Sequence, residues 1–147
     1  MWKSFRHRLQ TARQLTWRDW LGLAQAWWIL LAFYWMVRWL SLERLEALTR
    51  LAPGGTAAAL PDALAWARQR QKWISLAARL HPLPMTCLPR AIGLRWLLSR
   101  RRIAASLRIG MSKTATGMIA HAWVEVAGEA IGEPEDLPAH FTVLAPH

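Results

Sequence analysis

Cys87 and His121 are the two residues whose types and spacing could carry nucleophilic chemistry. Cys87 is the single cysteine of the chain and stands in "TCLPRAIGLRWLLSRRR" (86–102); His121 lies thirty-four positions later in "MIAHAWVEVA" (118–127). A cysteine attacks as its thiolate, a form favoured by the positive end of a helix and by a neighbouring histidine. Thr86 near the N-cap and Pro89 in the first turn predict a helix headed by Cys87, whose free first-turn N–H groups could also face an oxyanion. The plainer readings are a cysteine buried as a small hydrophobe and a histidine on a strand surface.

A histidine that activates a thiol needs a third group to hold its tautomer and orientation. Strand alternation puts Ile119, His121, Trp123 and Glu125 on one face, and Ala120, Ala122, Val124 and Val126 on the other, which reads as the core face. Glu133 follows His121 by twelve positions on "AIGE" (130–133), which returns as a strand. A three-residue loop, Ala127 to Glu129, makes Glu133 a same-face diagonal neighbour of His121. A two-residue loop at Ala127 and Gly128 turns Glu133 to the other face and leaves Asp136 as the acid nearest in phase. Pro134 favours a strand ending at Glu133.

The elements that must position these residues run helices first and strands last. "LGLAQAWWILLAFYWMV" (21–37), preceded by Thr16 or Asp19 as a cap, is long enough for a core helix, a docking helix or a membrane span. Ser41 caps a helix over 41–51, "APGGTAAALPD" (52–62) is a linker, and a further helix covers about 62–80 before the prolines of "HPLPMT" (81–86). Strands follow at 103–111, 118–127 and 130–133, with "FTVL" (141–144) as a last short one. This order predicts an α+β fold with an antiparallel sheet, divided as an N-terminal helical region (1–52) and a core (62–147).

Length, at 147 residues, fits one domain, and 54% hydrophobic residues with eleven Trp exclude a disordered tail. All 19 Lys and Arg fall in residues 1–120, against four acids, whereas residues 121–147 hold five acids and no base. Such a bias fits a nucleic acid, an anionic membrane surface or an acidic partner. The Arg100 to Arg102 run complements a helix dipole, so no nucleic acid is expected. One cysteine and no zinc-like spacing predict no disulfide, metal or cofactor; with no secretory signal, the expected location is cytoplasmic, with membrane association through 21–37 left open. His7, His81, His140 and His147 show no metal-ligand spacing.

A cysteine heading a helix, then "AHAWVEV" on a strand, then an acid a dozen residues on, resembles the transglutaminase-like, papain-related fold. Within it, "WRDWLGLAQAWWILLAFYWMVRWL", "TCLPRAIGLRWLLSRRRIAASLRIGM" and "AHAWVEVAGEAIGEPED" resemble, in order and spacing, the leader peptidases of lasso-peptide biosynthesis. The resemblance implies a cysteine protease that cuts the leader from a ribosomal precursor, so that a separate ATP-dependent cyclase can close the macrolactam. Cys87 would be the nucleophile and His121 the base. Asp is usual at the third position; Glu133 stands there, its extra methylene moving the carboxylate by about 1.5 Å, which keeps Asp136 as the alternative. In many members a separate small protein binds the leader, and a partner of that kind is expected here. A non-catalytic membrane-associated or scaffolding subunit is the competing reading, and amide transfer to an amine is a third.

Overall fold

The computed structural model describes residues 16–50, 60–114, 117–134 and 141–144. Helix α1 runs Trp17–Trp39; at its start, the Thr16 N–H and hydroxyl both donate to Asp19 Oδ2, at 2.8 and 2.7 Å. Asp19 therefore answers the unsatisfied donors of the first turn. Gly22, Leu23, Ala26, Ile29, Leu30 and Phe33 are buried at helical spacing, and this face packs against α3 (Leu60–Leu80) and α4 (Cys87–Arg100). Short α2 (Leu42–Thr49) begins after Ser41, which holds the N-cap position without a side-chain cap bond. Buried Thr49 returns its hydroxyl to the Leu45 and Glu46 carbonyls, each at 3.1 Å.

Helix α4 ends two residues before the expected Arg102. Arg102 takes the left-handed conformation at φ 58°, its N–H donating to Ser99 O while that of buried Ile103 reaches back to Leu98 O, both at 3.0 Å. This reciprocal pair closes the helix and turns the chain into the sheet. Strands β1 (Ser106–Thr114) and β2 (Gly117–Val126) pair antiparallel along their whole length, with Gly110 opposite His121. β3 (Glu129–Ala130) pairs with the end of β2, and β4 (Thr142–Val143) with β1, giving the order β3-β2-β1-β4.

Among the described residues the architecture is α+β, four helices against one antiparallel sheet. Leu30, Leu45, Ile74, Ile92, Leu94, Leu98, Val124 and Ile131 form a continuous apolar core drawn from all four helices, β2 and the segment after β3. Each such side chain contributes roughly 1.5–3 kcal/mol relative to exposure. The expected strand at 130–133 is corrected: the strand ends at Ala130, one further bond runs from the N–H of buried Ile131 to Val124 O at 2.9 Å, and Gly132, at φ 76°, then breaks the extended path.

Candidate active site

Thr86 is extended at φ −70° and ψ 175° and makes no side-chain cap bond, so the first N–H groups of α4 are free of it. Cys87 is the first helical residue and is half-buried, as expected for a side chain held at a helix end but reachable from a cleft. Pro89 follows in the first turn, buried, where its missing N–H removes no helical bond. A small cavity of about 20 Å³ is lined by Cys87, Arg90, His121, Glu133 and Gln71 over a floor that includes Ala122, Trp123 and Ile131. Cys87, His121 and Glu133 thus line one cavity from α4, β2 and the turn after β3.

His121 Nε2 lies 3.2 Å from Glu133 Oε1. The approach is off the hydrogen-bond axis, so Nε2 is buried against the carboxylate without donating along it. Both side chains are largely covered, where a charge contact is screened less than on an open surface. Nε2 is buried facing Glu133, which leaves Nδ1 as the ring nitrogen free to meet another group.

The route by which Glu133 reaches His121 differs from the expected one. The hairpin turn is the two-residue one, Ala127 and Gly128 at φ 51° and 84°, with Val126 opposite Glu129. In a continued strand that register would carry Glu133 to the wrong face. Gly132 cancels the inversion by leaving the strand path. A side chain there would be strained by φ and would also stand 2.3 Å from Gln71 Cγ. Asp136 lies outside the described residues, as do His7, His140 and His147.

The face bearing His121 is also corrected, since it is not simply the open one. Trp123 is 1% exposed, and His121 stacks on it at 6.1 Å and 18°, with Phe141 tilted against both rings at 5.8 and 6.0 Å. The cover fits because residue 110 is glycine: a Cβ there would stand 2.8 Å from Phe141 Cβ and 2.9 Å from Trp123 Cη2. Trp123 Nε1 donates to Glu125 Oε1 at 3.1 Å, and Arg108 Nε donates to Glu125 Oε2 at 2.9 Å. This chain of contacts satisfies the indole and fixes the shelf on which the imidazole rests.

Two lining residues, Gln71 and Arg90, and the covering ring of Phe141 were missed from the sequence. Gln71 comes from the middle of α3 and Arg90 from the first turn of α4, three residues after Cys87; Arg90 Nη2 donates to Ser75 Oγ at 3.0 Å, holding α4 to α3 beside Cys87. Phe141 comes from the segment before β4, and only the tertiary fold brings it over His121. A second, larger groove of about 930 Å³ runs between α3 and the β2–β3 turn, lined by Arg68, Lys72, Ser75, Arg79, Glu129 and others, and it shares Gln71 and Glu133 with the small cavity. Arg68 is held by Glu129 through Nε at 3.2 Å, whereas Lys72 and Arg79 are exposed.

His81 plays another part. It is buried, stacked on Trp27 at 4.6 Å, and its Nδ1 accepts the Leu83 N–H at 3.1 Å. Burial pushes its pKa below the ordinary histidine value, keeping the ring neutral. Among the described residues no three His, Cys, Asp or Glu side chains group as a metal site.

Searches of curated proteins and of solved structures returned no match. A family model does match, over residues 27–146, which takes in α1 from its middle turn, all of α4 and the whole sheet. With the α+β architecture already described, this establishes that the chain belongs to the transglutaminase-like superfamily.

Proposed function

We propose that this protein is a cysteine peptidase that removes the leader from a lasso-peptide precursor. The superfamily includes cysteine peptidases and acyl transferases. The observation that carries the reading is the convergence of Cys87, His121 and Glu133 on one cavity, with His121 Nε2 3.2 Å from Glu133. The leader specificity rests on the resemblance of the Cys87 and His121 segments to those peptidases.

In this mechanism Cys87 Sγ adds to the scissile carbonyl carbon as its proton passes to His121 Nδ1. The oxyanion takes hydrogen bonds from the Cys87 backbone N–H and the Gln71 side-chain amide. His121 then protonates the departing amine, the C–N bond breaks, and the leader stays on sulfur as a thioester. Water, deprotonated by His121, attacks that thioester; the thiol regains its proton and the leader leaves as a carboxylic acid. Glu133 orients the imidazole and stabilises its cationic form throughout.

The groove along α3 supports an extended peptide entering beside the scissile bond, since it opens onto Gln71 and Glu133. A separate leader-recognition protein presents the precursor, and an ATP-dependent cyclase acts on the released core. Mixing the protein with a precursor peptide and its leader-binding partner, and weighing the products by mass spectrometry, tests the reading. Wild type should release the leader and Cys87→Ala should not; release by Cys87→Ala, or by neither protein when both are folded, contradicts it.

A further inference from the structure

The strongest feature outside the catalytic cavity is the outer side of α1. Arg18, Leu21, Gln25, Trp28, Ala32, Trp35 and Trp39 are all exposed and recur every three or four residues, forming one stripe along the helix. Trp28 is 65% exposed, Trp35 51% and Trp39 79%, with Trp17 at 70% beside them. A row of exposed tryptophans along one helix side marks a contact site.

Beside Gln25 opens a pocket of about 170 Å³ lined by Trp66, Arg70, Trp96, Arg100 and Arg101. Arg70 and Arg101 both lie over the Trp66 ring, at 4.9 and 5.5 Å, and Arg100 lies over Trp96 at 5.6 Å. Among the described residues the lining contains no carboxylate, and Arg70 Nε is buried without a hydrogen-bond partner. Three guanidiniums held together by indole faces, one with an unused donor, form a receptor for an oxyanion.

We propose that the outer face of α1 and the Arg70, Arg100 and Arg101 pocket form one docking site for an anionic phospholipid bilayer, the pocket receiving a headgroup phosphate. Gln25 joins the two features, belonging to the stripe and lining the pocket. The helix lies in the interface and does not cross it: its inner face is committed to α3 and α4, and spanning would pull Leu23, Ile29, Leu30 and Phe33 out of the core. Lying flat, α1 places Trp17, Trp28, Trp35 and Trp39 at one depth, the headgroup level that indoles favour. The net charge of +10 supplies the complementary attraction to an anionic leaflet. This inference does not depend on the peptidase reading.

Co-sedimentation with phosphatidylcholine vesicles, with and without phosphatidylglycerol, tests it. Wild type should bind the anionic vesicles and leave the neutral ones largely unbound. Arg70→Gln with Arg100→Gln and Arg101→Gln should weaken binding roughly a hundredfold, at about fivefold per charge removed. Trp28→Ser with Trp35→Ser should weaken it by about tenfold or more with an unchanged circular dichroism spectrum, since both side chains are exposed. No preference for anionic vesicles overturns the proposal. So does binding of inorganic phosphate without vesicle association, which would leave a free-anion site, and so does a concentration-dependent dimer abolished by the tryptophan changes, which would make the stripe a protein interface.

Discussion

Trp123 and Trp28 are the same residue in opposite circumstances. Trp123 is almost wholly enclosed: Gly110 makes room for it, Phe141 covers it, Glu125 takes its N–H and His121 rests on it. Trp28 stands in solvent next to Trp27, whose ring turns inward to stack on buried His81. The end that holds Cys87 and His121 is therefore a site whose parts constrain one another, whereas the outer side of α1 finds no such partner among the described residues. Tryptophan content alone carries neither meaning; what surrounds each ring decides whether it holds the fold or faces something outside it.

That contrast can be broken at graded cost. Cys87→Ala or His121→Ala should lower leader release by on the order of 10⁴-fold or more with folding intact, because members of a catalytic unit fail together. Glu133→Gln keeps the shape but not the charge, and should cost roughly a hundredfold in kcat, less than loss of the nucleophile. Gly110→Ala drives a methyl into Phe141 Cβ and the Trp123 ring; about 2–3 kcal/mol of stability should be lost in urea denaturation, with activity falling alongside as the shelf under His121 moves. Lys72→Glu with Arg79→Glu, in the groove but outside the catalytic cluster, should leave kcat near wild type and change KM by about tenfold, read from initial rates on an extended precursor.

Two smaller effects sharpen the comparison of the neighbouring tryptophans. His81 is held neutral in the fold, so the unfolded chain binds its proton more readily. Its contribution is present above about pH 6.5 and is lost as pH falls through the depressed native value. His81→Phe should flatten that part of the stability profile, measured as urea midpoints at successive pH values. Trp28→Ser, one residue from the ring that stacks on His81, should change stability by no more than about 0.5 kcal/mol at any of them.

The helix headed by Cys87 and the alternation of β2 are legible in the sequence because local chemistry specifies both: a proline in a first turn and a period of two. The approach of Glu133 is not, because it turns on one residue of loop length. The two-residue turn inverts the face, and Gly132 then abandons the strand, so neither strand register alone gives the observed contact. Gln71, Arg90 and Phe141 carry no local signal; they become site residues only when α3, α4 and the segment before β4 are packed together. Residues 21–37 carry Gln25 as their one strongly polar side chain, so their pattern fits a core helix, a docking helix or a span. Packing separates an inner face of Leu, Ile and Phe from an outer one of Trp.

If Cys87, His121 and Glu133 work as one unit, the rate at which iodoacetamide alkylates Cys87 at neutral pH depends on all three. Since Cys87 is the single cysteine, mass spectrometry reads that rate without ambiguity. If the account holds, alkylation is fastest in the wild type, slower in Glu133→Gln and slowest in His121→Ala. Equal rates in all three proteins would mean that the histidine and the carboxylate do not act on the thiol, and would contradict it.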